Sequence, residues 1–67
     1  MTKFSIVEIG SGKQEIKYFV EELRRSNLIS GTEKDENGDT VYHTHNFVAV
    51  KKLANEYDHL MVDAYKD

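Results

Sequence analysis

The dipeptide Asn37-Gly38 restricts the fold most, because it lies between two segments of extended character, residues 28–36 and 39–45. Tight hairpin turns of type I′ need a positive φ at both central residues, which asparagine and glycine tolerate. The sequence therefore predicts a β-hairpin. If its loop has two residues, the opposed pairs are Lys34 with Val41, Glu33 with Tyr42, Thr32 with His43, and Ser30 with His45.

A strand and a helix are predicted before the hairpin. Residues 3–9 alternate with apolar side chains on both faces, which is typical of an inner strand or of a strand covered partly on each side. Ser11 stands at the position of an N-cap, and Gln14 has the spacing of a capping box. The helix that follows is expected to end near residues 26–27, because asparagine tolerates the left-handed conformation. Its apolar stripe consists of Ile16, Phe19, Val20 and Leu23.

After the hairpin the apolar spacing becomes helical, and it predicts a long last helix of about five turns capped by Asn46 or Thr44. The whole chain, residues 1–67, is then a single α+β domain of order β-α-β-β-α. Its simplest packing is a three-stranded sheet with both helices on one face. The stripe is also wide enough for a seam between two copies, so a homodimer is an alternative. It comprises Val50, Leu53, Ala54, Tyr57, Leu60, Met61 and Ala64.

The composition disfavours several classes of protein. The chain of 67 residues is long enough for one thin core, and it has no cysteine for disulfides or thiolate metal sites. No apolar run approaches the roughly 20 residues of a membrane span, so no membrane association and a cytoplasmic location are expected. A net charge of −3 argues against a large electrostatic surface for nucleic acid.

The segment Gly10-Ser11-Gly12-Lys13 resembles a phosphate-binding loop in its glycines and its place between strand and helix. A Walker A motif would need glycine where Val7 stands, and serine or threonine where Gln14 stands. A dinucleotide-binding fingerprint would need a small residue in place of Glu15. The loop is therefore predicted to turn the chain, and no cofactor is expected.

Metal binding and catalysis are not predicted either. The acids of the hairpin tip match the first ligand positions of an EF-hand loop, but Thr44 replaces the bidentate glutamate that the loop requires. His43 and His45 supply two imidazoles, whereas a stable zinc site needs three or four ligands. No spacing links a nucleophile to a base, so the protein is not expected to be an enzyme.

The stretch VEELRRSNLISGTEKDENGDTVYHTHNF, residues 20–47, resembles the end of a winged-helix domain. In that family a recognition helix is followed by a short apolar segment and a β-hairpin wing. The resemblance implies a DNA-binding transcriptional regulator. Lys17, Arg24 and Arg25 would then meet phosphates from the helix, and Lys34 from the wing.

A protein partner is the first expectation, because acidic side chains on the hairpin would repel phosphate. These residues are Glu33, Asp35, Glu36 and Asp39, and Tyr42 is expected to anchor the contact, since tyrosine offers a large contact area. Small acidic proteins without cysteine are often accessory factors of phages or mobile elements, including inhibitors, that engage a host protein. The sequence thus predicts a cytoplasmic, non-enzymatic protein-binding module, with DNA binding as the alternative.

Overall fold

The computed structural model describes the backbone of residues 1–10 and 13–65, so the predicted Ser11 cap and its capping box lie outside the described structure. The elements are β1 (Thr2–Glu8), α1 (Lys13–Arg25), β2 (Gly31–Lys34), β3 (Thr40–Thr44), α2 (Phe47–Ala54) and β4 (Leu60–Ala64). The strands form one sheet in the order β2-β3-β1-β4, and each pair of neighbours is antiparallel. This is the split β-α-β, or ferredoxin-like, arrangement, in which β3 lies between β1 and β2, and β1 and β2 run in the same direction.

The core lies between the two helices and one face of the sheet. Phe4 of β1 is fully buried at its centre, and its ring stacks on Tyr42 at 5.5 Å between centroids. Phe47, at the start of α2, contacts the same ring at 5.8 Å. Because side chains alternate along a strand, every second side chain of β1 and β4 points into the core. The buried cluster is Phe4, Phe19, Leu23, Val50, Ala54 and Leu60.

Several local predictions are confirmed. β1 is an inner strand between β3 and β4. α1 ends at Arg25, and Asn27 follows in the left-handed region with φ of 56°. Asn46 caps α2, since its side chain accepts a hydrogen bond from Ala49 N at 3.1 Å. Thr44, the other candidate, supports this cap by accepting from Asn46 N at 3.1 Å.

The prediction of a five-turn last helix and a three-stranded sheet is wrong. α2 ends at Ala54, and residues 60–64 form a fourth strand, so the order is β-α-β-β-α-β. β4 pairs along β1, with Ile6 opposite Val62 and Glu8 opposite Leu60. An inner strand with apolar side chains on both faces needs a neighbour on each side, and β4 supplies the second one. No helix in the described ranges is long and apolar enough to cross a membrane.

The predicted hairpin register is also wrong, by one residue. Glu33 faces Val41, Thr32 faces Tyr42 and Gly31 faces His43, with Ser30 bonded to His43 rather than opposite His45. The loop has three residues, 36–38, and Asp35 N bonds to Asp39 O at 3.0 Å across it. Gly38 takes a φ of 83°, as in hairpins whose turn is followed by one left-handed residue.

This shift by one residue changes which side chains share a face of the sheet. The predicted register places Glu33 beside Tyr42. In the structure Glu33 lies opposite Val41, so Glu33 and Tyr42 are on opposite faces.

Candidate functional site

The face of the sheet opposite the core is exposed to solvent, and we call it the open face. It is defined by the alternate residues of each strand that point away from the buried cluster. Both polar and apolar side chains are present on it. The residues are Lys3, Ser5 and Val7 of β1, Glu33 of β2, Val41 and His43 of β3, and Met61, Asp63 and Tyr65 of β4 and its end.

A hydrogen bond joins the end of β4 to the hairpin over the open face. Tyr65 N donates to Lys3 O at 2.8 Å, which extends the β1–β4 pairing by one residue. The Tyr65 hydroxyl donates to Asp35 Oδ2 at 2.8 Å. Tyr65, Asp35 and Val41 line the same groove, and Val41 is only 2% exposed although it lies on the open face. The tyrosine thus covers part of this face.

Asp35 organises the hairpin tip. Its Oδ1 accepts hydrogen bonds from Asn37 N and Asp39 N, each at 2.9 Å. The Tyr65 hydroxyl and then these backbone N–H groups hold the pKa of the Asp35 carboxyl below its usual range. The same hydrogen bond to the carboxylate raises the pKa of Tyr65, because the bond is lost when the phenol ionises. Asp35, predicted as a binding residue, is therefore engaged within the protein.

A second polar cluster lies beside it on the open face. Glu33 Oε1 is 3.1 Å from Lys3 Nζ and 3.0 Å from His43 Nε2. The hydrogen bond and charge of Lys3 come first in lowering the pKa of Glu33, and His43 adds to them. The three side chains come from three neighbouring strands, so they hold β2, β3 and β1 together at this face.

Sequence reasoning missed Lys3, His43 and Tyr65 as members of this surface. Lys3 and His43 are directly opposed in the β1–β3 pairing, and that pairing joins segments about forty residues apart. The one signal available was alternation at the end of the chain. If residues 60–65 are taken as a strand, Met61, Asp63 and Tyr65 fall on a single face.

The remaining predicted protein-binding residues divide between two surfaces. Glu36 and Asp39 are exposed at the hairpin tip, next to Asp35. Tyr42 points to the helix layer, where it stacks on Phe4 and is half-buried. Burial raises the pKa of Tyr42, and the positive charge of Arg24 opposes that shift. The structure thus groups the acidic residues but separates Tyr42 from Glu33.

The predicted nucleic-acid-binding residues are distributed over a helix and the hairpin. Lys17, Arg24 and Arg25 are exposed on α1. Lys34 lies on β2, where its Nζ donates to Thr40 Oγ1 at 2.7 Å.

The open face also differs from the aromatic platform on which sheet proteins stack single-stranded bases. Aromatic residues are present on the two inner strands, as Phe4 and Tyr42, but both face the core.

Two shallow grooves flank Tyr65, with volumes of about 410 and 450 Å³. The first is lined by acidic side chains of the hairpin together with Lys3 and Lys34, and the second by both polar and apolar side chains of β1 and β3. Within residues 1–10 and 13–65, no three histidine, cysteine or acidic side chains are grouped so that they could hold a metal ion.

Comparison with models of protein families, with curated proteins and with solved structures finds no match to this chain.

Proposed function

We propose that this protein is a non-enzymatic protein-binding module, and that the tip of its β2–β3 hairpin is the contact surface. The observation that carries the proposal is the set of three hydrogen bonds that Asp35 accepts from Asn37 N, Asp39 N and the Tyr65 hydroxyl. A loop held in one conformation before binding loses little conformational entropy in the complex.

The charge of the tip indicates the kind of partner. Glu36 and Asp39 are exposed on either side of the turn, while the carboxylate of Asp35 is held by its hydrogen bonds. Exposed charges at the rim of an interface accelerate association more than they increase affinity. The proposed partner therefore has a basic surface, and the association rate falls as salt rises.

The test is an affinity capture with the variant Glu36→Gln/Asp39→Asn, which leaves Asp35 and its hydrogen bonds in place. We expect the wild-type protein to retain a specific partner from cells in which it is normally made, and the variant to lose it. The matched control is Glu21→Gln/Asp58→Asn, which removes the same charge from exposed positions elsewhere. Equal capture by both variants would contradict the role of the tip.

Duplex DNA binding is the second candidate, and the exposure of Lys17, Arg24 and Arg25 on α1 favours it. A DNA-binding protein should bind duplex at low salt and lose affinity steeply in the variant Arg24→Ala/Arg25→Ala. The protein-binding proposal expects no duplex binding at physiological salt. Arginine-dependent binding under that condition would replace it with the DNA-binding function.

A further inference from the structure

β4 is an edge strand, and its outer backbone groups have no strand partner within the described part of the chain. Ile9 N bonds to His59 O at 2.7 Å, and Tyr65 N bonds to Lys3 O at 2.8 Å. In an antiparallel pair the hydrogen-bonded residues alternate, so the odd-numbered residues of β4 bond to β1. The N–H and C=O groups of Leu60, Val62 and Ala64 therefore point outwards from the sheet.

The two edges of the sheet differ in how they are protected. Natural edge strands are kept from pairing by short length, charged side chains or bulges. β2 has four residues, Gly31–Lys34, and two of them are charged. β4 has the sequence LMVDA, in which Asp63 is the only charged residue. The β4 edge is thus the one available for pairing with a further strand.

A groove beside this edge can receive side chains of an added strand. It lies between β4 and α2 and has a volume of about 270 Å³. Ala54, Leu60 and Val62 provide an apolar lining, and Lys51 of α2 adds a positive charge. Asp63 also borders the groove, but it lies opposite Ser5, so its side chain belongs to the open face and not to the α2 side. On the other side of the strand, Met61 is 43% exposed and lies opposite Val7, which is 36% exposed.

From this geometry we infer that β4 binds an extended peptide segment of a partner protein, which adds to the sheet as a fifth strand. Main-chain hydrogen bonds to Leu60, Val62 and Ala64 supply affinity, as in other cases of β-strand addition. Alternate side chains of the peptide enter the α2–β4 groove. The apolar lining and Lys51 select a segment that combines β-branched residues with an acidic one.

This inference shares with the proposed function the assumption that the ligand is a protein. It concerns the β4 edge, which is a different surface from the hairpin tip. The probe, the valine–glutamate peptide, is a synthetic seven-residue peptide with blocked ends that carries three valines and one glutamate at alternate positions and threonine at the others. The valines and the glutamate then lie on one face of the extended peptide. Two control peptides are used. The lysine peptide has lysine in place of glutamate, and the N-methylated peptide carries N-methyl groups on alternate residues, which remove main-chain hydrogen-bond donors. Binding is followed by amide hydrogen exchange of the full chain in NMR spectra.

In the free protein we expect slow exchange at Met61 and Asp63 and fast exchange at Val62 and Ala64, whose N–H groups point outwards. The valine–glutamate peptide should slow exchange at Val62 and Ala64 about tenfold when its free concentration is about nine times its Kd. The lysine peptide should bind several-fold more weakly, and the N-methylated peptide should not protect these amides. Unchanged exchange at Val62 and Ala64 with millimolar valine–glutamate peptide overturns the inference.

Neighbouring lysines of α2 provide a matched pair of variants. Lys51 lines the groove beside β4, whereas Lys52 lines a different groove beside Leu53. Lys51→Glu should weaken binding of the valine–glutamate peptide several-fold, and Lys52→Glu should leave it unchanged. Equal effects of the two variants count against a peptide seated in this groove.

Two further measurements keep the test decisive. Met61→Lys places a charge on the edge strand and should abolish protection at Val62, while Val48→Lys, at an exposed position of α2, should not. If sedimentation shows self-association and Val62 is protected without peptide, a second copy occupies the edge and the inference is overturned. The hairpin variant Glu36→Gln/Asp39→Asn should bind the peptide normally, so the two proposals fail independently.

Discussion

The hydroxyl of Tyr65 donates a hydrogen bond to Asp35 Oδ2 at 2.8 Å, which joins the end of the last strand to the tip of the β2–β3 hairpin. The two residues are 30 positions apart in the chain. Asp35 in turn accepts the backbone N–H groups that shape the tip. The conformation of the proposed contact surface therefore depends on a side chain from the opposite edge of the sheet.

Replacing Tyr65 by phenylalanine should loosen the hairpin without unfolding the protein. The variant keeps the ring over the open face but removes the donor to Asp35, so the pKa of the Asp35 carboxyl should rise towards its usual range. An NMR titration of the Asp35 carboxyl carbon measures this directly. Tyr18→Phe, on the exposed side of α1, is the control and should leave the titration unchanged.

The contribution of the Tyr65–Asp35 hydrogen bond to the free energy of unfolding should be confined to a window of pH. The pKa of Asp35 is lowered by folding, so its contribution is present above the unfolded value of about 3.9 and is lost as pH falls through the folded value. The pKa of Tyr65 is raised, so the contribution is present below about 10 and is lost as pH rises through the folded value. The difference in urea midpoint between wild type and Tyr65→Phe should be largest between these limits. A difference that does not vary with pH would show that the bond does not form in solution.

Phe4 should be among the most sensitive positions of the core. It is fully buried and contacts the rings of Tyr42 and Phe47, so Phe4→Ala should reduce the free energy of unfolding by about 3–5 kcal/mol. Val7→Ala, on the same strand but the open face, should cost about 1 kcal/mol or less. Urea denaturation of both variants makes the comparison. Similar losses would mean that the open face is covered in solution.

Gly38 should be the glycine of the hairpin that resists substitution. Its φ of 83° is unfavourable for other residues, although a Cβ there would contact nothing within 4 Å. Gly38→Ala should therefore cost about 1–2 kcal/mol through backbone strain alone. Gly31 also has space for a Cβ but no positive φ, so Gly31→Ala should not destabilise the protein. Thermal unfolding of the Gly38→Ala and Gly31→Ala variants makes the comparison. Equal stability of the two variants would contradict the left-handed residue at the end of the three-residue loop.

The candidate site could be predicted only in part. Composition located the acidic tip, because a cluster of acidic residues around Asn37-Gly38 is visible in the sequence. The partners of Asp35 and Glu33 could not be predicted, since Tyr65, Lys3 and His43 reach them through the order of strands in the sheet. The chemistry of Tyr42 predicts a place on the contact surface, but the β1–β3 pairing puts Tyr42 beside Phe4 on the core face.

The sequence by itself determined the features that depend on neighbouring residues. The apolar stripe of α1, its end before Asn27 and the Asn46 cap of α2 follow from side chains within a few positions of one another. Helical hydrogen bonds join residues four apart, so such features are local. The presence of a hairpin at Asn37-Gly38 is local in the same sense.

Only the tertiary structure decided the number of strands and their register. Leu60, Met61 and Ala64 have helical spacing, yet they form β4 because β1 offers them a partner more than fifty residues earlier in the chain. The hairpin loop has three residues because Lys34 lies opposite Thr40, whereas the Asn-Gly pair is equally compatible with a loop of two. Strand hydrogen bonds are made with a distant segment, and local spacing carries no information about that segment.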